Sequence, residues 1–453
     1  MGGSTAGPSG RRRAARLALA ALACLAAGPT ATDGCGGSER IDRHVVDLHG
    51  AAADGLAARV EALGGRVLRL HPEIDVAIVE GLDDAAAAEL ARGPGLPSLE
   101  RDARVRMVPR LASLPWQVVQ LPAAAAPASH APEDAAFFAL QWNLRQIRAD
   151  EAFAAGFRGD PAVRVAIVDT GLDPDHVELR GLIDEAASTA FVPSLTGPPD
   201  WADDNFHGTH VGGTVVTNGI GINGVAPHTT LVAVKVCNQN GFCTFGDVLS
   251  GILYAANAGV DVINMSFTGS FFKSDFGFFA GLLTRTVNFA NRHGVLVVGS
   301  ASNAAADLQH DRNRFVWPCV ASSVACIAAT GPDGLRAGYS SFGTSEISVA
   351  GPGGSFDGVD RFGSMVLGPC SSRTQFPIGC EAGDSYILLQ GTSMAAPHVA
   401  GAAALLDAQH GGRLGASQLR VRLQATAEDL GKPGADPEYG NGRIDLCRLL
   451  GCP

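Results

Sequence analysis

The chain has 453 residues, 46% of them hydrophobic and 17% charged, with a formal net charge of −11. That length admits two or three domains, and the apolar fraction supports a large core rather than disorder. The acidic balance lacks the basic face of a nucleic-acid binder, and beyond the N-terminus no stretch is long and apolar enough to span a bilayer.

In chain order, Arg11, Arg12, Arg13 and Arg16 precede the apolar run Leu17–Ala27. A positive start followed by a short apolar stretch is the pattern of a secretory signal peptide. Residues 1–34 are therefore read as signal and exposed N-terminus, and a secreted protein is expected. Cys24 and Cys35 leave lipid anchoring after export open. From Asp42 to Val108 the pattern predicts strand, helix, strand, strand, helix, strand. His44–Leu48 alternates, Ala51–Leu63 has helical spacing ended by Gly64-Gly65, and Arg66–Leu70 and Asp75–Val79 are strand-like. Asp83 is a good N-cap for the Ala-rich run to Ala91, and Val105–Val108 closes this small domain. Residues 109–137, rich in Ala and Pro, read as an exposed linker.

From residue 138 to 447 buried strands alternate with helices. Val163–Val168, Leu231–Val236, Val260–Met265 and Gly294–Val298 are apolar runs, with helical patterns at Asp247–Ala258 and Phe279–Arg292. This is an α/β domain with a mostly parallel sheet. The last helix candidate is Ala416–Ala425, and residues 448–453 are expected to be a C-terminal tail. Of the 10 cysteines, eight form four close pairs: Cys237 and Cys243, Cys319 and Cys326, Cys370 and Cys380, Cys447 and Cys452. In an exported chain such spacing reads as local disulfides. Zinc is disfavoured, because the pairs lie far apart and none has knuckle spacing.

Three motifs carry the chemistry. Val165–Gly171 ends a buried strand in Asp169, at the edge where open α/β sheets place their sites, although many strands end in Asp for turn reasons. His207-Gly208-Thr209-His210 puts two histidines on one helical turn with no acidic residue to complete a zinc-peptidase motif. Beside a strand-end Asp, His207 is a candidate base. Gly391–Gly401 carries Ser393 at the start of a long helix, where the dipole favours developing negative charge; a plain Ser N-cap is the alternative. Pro397 is expected among the helix's unpartnered early N–H groups.

The order Asp169, His207, Ser393 differs from that of α/β-hydrolases and of chymotrypsin-like enzymes. With Gly224–Pro227, Asp261–Ser266, Tyr339–Gly343 and Tyr439–Ile444, the chain from about Gln141 to Asp445 resembles the subtilisin-like serine peptidases (subtilases). The resemblance implies a three-layer α/β/α fold, and the small α+β domain at 42–108 looks like that family's inhibitory prodomain. It implies a serine endopeptidase made as a self-processed zymogen, in which His207 takes the proton of Ser393 and Asp169 orients the imidazole. Asn303 is the implied oxyanion donor, within Ala301–Ala305 where the family usually has Gly before the Asn; a loop-turn role is its alternative. Polypeptides are the implied substrates, bound as an added strand between Ser266, Phe267, Thr268 and Gly269 on one wall, Ser300, Ala301 and Ser302 on another, and the edge Gly241–Phe245. Val316 aligns with the floor of the primary pocket, or else faces the core. Glu178 matches a carboxylate that some relatives use for calcium, beside a loop Thr217–Asn223 that is about two residues shorter than theirs. No cofactor is needed for the chemistry; the expected partners are peptide substrates and the chain's own prodomain, with no nucleic acid, and a monomer is expected. A binding protein on the same fold and an esterase with the same triad are the rival readings.

Overall fold

The computed structural model describes residues 38–50, 55–92, 98–122, 134–311, 313–356 and 358–453. The signal-peptide and lipidation readings, and the Pro-rich centre of the expected linker at 123–133, lie outside them. The small domain follows its sequence pattern: β1 (Glu39–Asp47), α1 (Leu56–Ala62), β2 (Arg66–His71), β3 (Val76–Glu80), α2 (Asp84–Ala91) and β4 (Ser98–Arg106). Asp83 caps α2, its carboxylate accepting from Ala86 N at 2.8 Å. The antiparallel sheet runs β2-β3-β1-β4. Val46, Ala77 and Val79 pack under the helices on one face, while Val45, Val76 and Val105 face the large domain.

The expected linker is not all exposed. Residues 111–113 form a 3₁₀ turn with Leu111 buried, and β5 (Gln117–Gln120) is a sheet strand. The large domain then lays down β6 (Arg164–Asp169), β7 (Thr189–Ala190), α3 (His207–Val215), β8 (Thr230–Lys235), β9 (Phe242–Thr244) and α4 (Phe245–Asn257). β10 (Val262–Met265), β11 (Gly269–Phe272), α5 (Lys273–Arg292), β12 (Leu296–Ser300), β13 (Arg314–Trp317), β14 (Ala325–Thr330) and β15 (Val349–Pro352) follow. The chain ends with β16 (Val366–Pro369), β17 (Ser385–Leu389), α6 (Thr392–Gln409), α7 (Ala416–Ala425) and α8 (Leu446–Leu450).

Seven strands pair in parallel in the order β15-β14-β12-β10-β6-β8-β7. The period-2 alternation of β6 sends Val165 and Ile167 to the face covered by α3 and α6, and Ala166 and Val168 to the face covered by α4 and α5. Helices on both faces of the sheet make the three-layer α/β/α fold. β5 joins β16 and β17 in an antiparallel sheet beside it. All four expected disulfides are present, each closing a loop of 5 to 10 residues. The expected tail is packed: Leu449 and Leu450 are buried, and the Cys447–Cys452 bridge closes over α8.

The small domain is seated on α4 and α5. β4 extends its sheet onto β9, pairing Arg104, Val105 and Arg106 with Thr244, Cys243 and Phe242. Arg43 lies between Asp102 of its own domain, at 2.8 Å, and Asp247 of α4, at 3.0 Å, and it also donates to Thr244 Oγ1. Arg69 reaches Asp247 at 2.7 Å. Asp102 also accepts weakly from Gly246 N (3.3 Å) at the α4 N-terminus, where a carboxylate is favoured. A buried charge survives only where partners surround it, and here Asp247, Thr244 and Gly246 supply those partners from across the boundary.

Glu178 bears on the expected calcium site. Calcium requires a cage of oxygen ligands. The fully buried Glu178 is surrounded by donors instead: Ile220 N (3.2 Å), Gly221 N (2.5 Å), Ile222 N (3.1 Å) and the Tyr386 hydroxyl (2.7 Å). The short loop turns its N–H groups toward the carboxylate rather than its carbonyls toward an ion. Burial, and then the Glu178 charge, hold the Tyr386 hydroxyl well above its ordinary range, so it remains a donor. These residues do not fit a calcium ion, and no other group of three or more His, Cys, Asp or Glu among the described residues could hold a metal. Glu178→Gln should therefore destabilise the fold by about 2–3 kcal/mol, the scale of a lost charge-assisted hydrogen bond, while EDTA leaves the wild-type unfolding midpoint unchanged. A midpoint that falls with EDTA and returns with calcium would contradict this account.

Candidate active site

β6 ends at the fully buried Asp169. Its Oδ1 accepts from Thr170 N at 2.7 Å and from His207 Nδ1 at 2.9 Å. A carboxylate only accepts, so the His207 proton sits on Nδ1 and Nε2 is the ring's acceptor. Nε2 is buried with no hydrogen-bond partner in the protein. His207 is the first residue of α3, and its N–H donates to Asn205 Oδ1 at 3.1 Å. Gly208 lets the helix meet the strand: a Cβ there would lie 2.1 Å from Gly171 O.

Sequence reasoning missed the residue that anchors this corner. Asp203 is fully buried and accepts from Thr170 Oγ1 (2.8 Å), Asn205 N (3.0 Å), Thr209 N (2.9 Å) and Thr209 Oγ1 (2.7 Å). Burial pushes its carboxyl up to about 6, against the pull of Lys235 and these donors. An acidic residue a few positions before a helix start was the available signal. Lys235, also fully buried, donates to Asp204 Oδ1 at 2.6 Å and to the carbonyls of Thr170 and Cys237.

The remaining histidines near the site are structural. His210 Nε2 donates to Val366 O at 3.2 Å, and burial pushes its ring down to about 3. It therefore does not join His207 at a metal. His398 donates to Met394 O at 2.8 Å and accepts from Asn143 Nδ2 at 2.8 Å; burial pushes it down to about 4.

Ser393 is not the N-cap of its helix. Gly391 holds that position, with φ 154°, and Ser393 is the second helical residue. Pro397 is correspondingly inside the helix rather than among its unpartnered N–H groups. Its missing N–H deprives the Ser393 carbonyl, four residues back, of the usual helix bond.

Asn303 comes to the same place. Its Oδ1 accepts from Thr392 N and from Thr392 Oγ1, both at 2.9 Å, which leaves Nδ2 as the amide's outward donor. Nδ2 and Ser393 N lie 3.2 and 3.7 Å from where a Gly391 Cβ would stand, so two donors converge beside a residue without a side chain. Ser302 has φ 88°, and Ala305 has φ 50°. Left-handed backbone at non-glycine residues is uncommon and costs stability.

The expected cleft walls flank a strand of the chain itself. Thr268 N donates to Met107 O at 3.1 Å, while Met107 N and Val108 N donate to Gly241 O at 3.0 and 3.1 Å. Residues 104–108 thus run between the 266–269 wall and the 241–244 edge. Pro109–Ala112 continue past Asn205 toward Phe376 and Ile378. Ser266 Oγ accepts from Asn264 Nδ2 at 2.8 Å, Phe267 is buried in the core, and Gly269 begins β11, paired to β13. Ser300 and Ala301 are fully buried and Ser302 is 7% exposed. Val316, 8% exposed, packs in a cluster with Ala301 and the Cys319–Cys326 bridge.

A buried Asp–His pair, a Ser at a helix start and two convergent N–H donors are the residue types that nucleophilic acyl transfer requires. Comparison with known proteins agrees. Residues 160–442 match the model of the Subtilase family (Peptidase_S8). The thermostable alkaline protease of Halalkalibacterium halodurans is 35% identical over 311 residues, covering 68% of this chain and 73% of the relative. Subtilisin DY of Bacillus licheniformis is 35% identical over 309 residues, covering 68% of this chain and 97% of the relative. The epidermin leader peptide processing serine protease of Staphylococcus aureus shares the fold, with a TM-score of 0.71 at 22% identity over 90% of this chain and 97% of that one. The chain belongs to the subtilase family and is a serine-type endopeptidase.

Proposed function

We propose that this enzyme hydrolyses peptide bonds through Asp169, His207 and Ser393, and that it is made as an exported zymogen whose residues 42–108 inhibit it until it cuts itself. The observation that carries the catalytic reading is the 2.9 Å Asp169–His207 bond, which leaves His207 Nε2 unpartnered. Nε2 takes the Ser393 hydroxyl proton as Oγ attacks the substrate carbonyl, then gives it to the leaving amine. Asp169 holds the productive tautomer and stabilises the imidazolium. Ser393 N–H and Asn303 Nδ2 receive the oxyanion and cost no reorganisation, being already convergent. Asn303→Ala should lower kcat by about a hundred- to a thousandfold with little change in KM.

The zymogen reading is supported by the strand Arg104–Val108 held between the two cleft walls. That is the manner in which an extended peptide adds to a sheet edge. The chain then passes Asn205, itself bonded to His207 N, so the bond to be cut is expected between Val108 and Leu111. Mass spectrometry of the wild type beside Ser393→Ala tests this. The wild type should lose everything before the cut, and Ser393→Ala should retain residues 42–108. Efficient maturation of Ser393→Ala in a host without other proteases would sink the self-processing reading. Export, and lipid anchoring at Cys24 or Cys35, are read from the N-terminus of the Ser393→Ala precursor, which keeps the small domain.

The docked prodomain should loosen in mild acid. His71 Nε2 donates to Ser250 Oγ at 2.8 Å, since that hydroxyl gives its own proton to Gly246 O. Burial, then the neighbouring Arg69 charge, hold the His71 ring below its ordinary range against the opposing Glu73 carboxylate. A lowered value in the docked state means that docking is complete above the free-histidine value of about 6.5 and weakens as pH falls through it. In the Ser393→Ala precursor the unfolding midpoint should fall between pH 7 and pH 5, and His71→Gln should flatten that fall. An unchanged slope would assign the effect elsewhere.

For specificity, Val316 adds three carbons to the floor beside Ala301, giving a shallow apolar pocket suited to Ala or Leu before Phe. Val316→Gly should raise kcat/KM for Phe relative to Ala substrates by at least about tenfold. A peptide library in which the wild type already prefers Phe, unchanged by Val316→Gly, would reject the pocket assignment.

A further inference from the structure

We propose that Tyr339 and Ser341 are positioning residues that hold the Asn303 loop in register with Ser393. The proposal rests on the reading of Asn303 as the oxyanion donor and names what keeps it in place. The loop enters Asn303 through Ser302 at φ 88° and leaves through Ala305 at φ 50°. Non-glycine residues persist in such backbone only where their surroundings over-determine them.

Those surroundings are one short segment, residues 339–342. Ser341 N donates to Ser302 O at 3.0 Å, and Ser341 Oγ accepts from Ala306 N at 3.2 Å. Ala305 N donates to Tyr339 O at 2.8 Å, and Phe342 N to Ala306 O at 3.0 Å. Both left-handed residues are therefore pinned by the same strap. The strap is itself anchored. Ser340 Oγ accepts from Ala329 N of β14 at 3.0 Å. The Tyr339 hydroxyl, which burial holds well above its ordinary range, is shared between Gly353 O at 2.9 Å and Gly354 O at 2.7 Å.

Gly353 O also accepts from Gly391 N at 2.9 Å. Gly391 caps the helix of Ser393, and the next residue, Thr392, holds Asn303 Oδ1. Tyr339 thus touches the Asn303 loop with its carbonyl, and its hydroxyl shares the Gly353 carbonyl with Gly391 N of the Ser393 turn. The two oxyanion donors come from these two segments, and their separation is fixed where Tyr339 joins them. Neither residue touches substrate in this geometry; each acts through Asn303.

The test uses self-processed enzyme, with active sites titrated by a serine-directed phosphonate and kcat and KM read on a chromogenic peptide anilide. Tyr339→Phe and Ser341→Ala should each lower kcat about fivefold to tenfold, the scale of one lost hydrogen bond, with KM changed less than about twofold. In an Asn303→Ala background neither should lower kcat further, because the donor they position is gone. In an Ala305→Gly background the Ser341→Ala loss should shrink to less than about threefold, since Gly adopts that backbone without the support that Ser341 Oγ gives at Ala306 N. A lowered unfolding midpoint with kcat intact would make the strap merely structural and overturn the proposal. So would kcat losses of equal size with and without Asn303. If Asn303→Ala itself keeps its kcat, the underlying reading of Asn303 fails and the proposal with it. If Asn303→Ala loses kcat while Tyr339→Phe and Ser341→Ala do not, the positioning proposal fails alone.

Discussion

The buried hydrogen bond between Asp169 and His207 is the contact on which the rest of the molecule depends. A carboxylate with no exposure to water is tolerated only if donors surround it. Here the donors are Thr170 N and the His207 ring, so the end of β6 and the start of α3 must meet within hydrogen-bond distance. Phe206, the residue before that helix, has no side chain able to cap it, and the flanking Asn205 and Asp203 accept from its first turn instead. The ion pair Lys235–Asp204 lies beside this corner with both side chains fully buried. Loss of one partner would leave an uncompensated charge, which is why the corner is built as a closed network.

Close approach of backbones is the second requirement, and small residues supply it. A Cβ at Gly213 would lie 2.1 Å from the Pro369 ring, and one at Gly212 would lie 2.6 Å from the Leu172 side chain. The disulfides work at a different level. Two of them fasten segments beside the cleft. Cys237–Cys243 ties the chain at β9, the edge that receives β4. Cys319–Cys326 lies under the wall of the cleft, with Cys319 Sγ 3.4 Å from Ser300 O.

What could be read from the sequence follows from these physical scales. Apolar runs such as Val163–Val168 and Leu231–Val236 became β6 and β8 because a doubly covered parallel strand must be apolar on both faces. Cysteine spacing sufficed for the bridges, since loops this short leave little choice of partner. The Asp, His and Ser motifs were legible because their chemistry requires fixed residue types. Asp203 and the 339–342 strap were not recognised in those roles, because their function lies in hydrogen bonds to loops distant in sequence, and any polar residue in a loop looks the same beforehand. Pro397 was misplaced by two positions of helix phase, as boundaries commonly are. The donors around Glu178 were not legible, because residue type alone does not reveal whether a neighbouring loop presents carbonyls or N–H groups. β5 and the last turn of the chain were read as loose for want of long apolar runs, yet a ladder with β17 and one disulfide were enough to order them.

On the proposed zymogen reading, the pairing of β4 with β9 bears on how inhibition would end. While the chain is continuous, the small domain is tethered to its own cleft, and its effective concentration there is set by the short path through Pro109 and Arg110 rather than by the amount of protein present. β5 stays fastened to β17 on the far side of that path. Under that proposal a break in the path would leave both halves docked but no longer joined, and inhibition would become a two-body equilibrium. From then on dilution alone favours the free enzyme, and the freed domain, with its small core, is exposed to unfolding and digestion. If the chain is exported as proposed, dilution outside the cell would drive activation in one direction without any further signal.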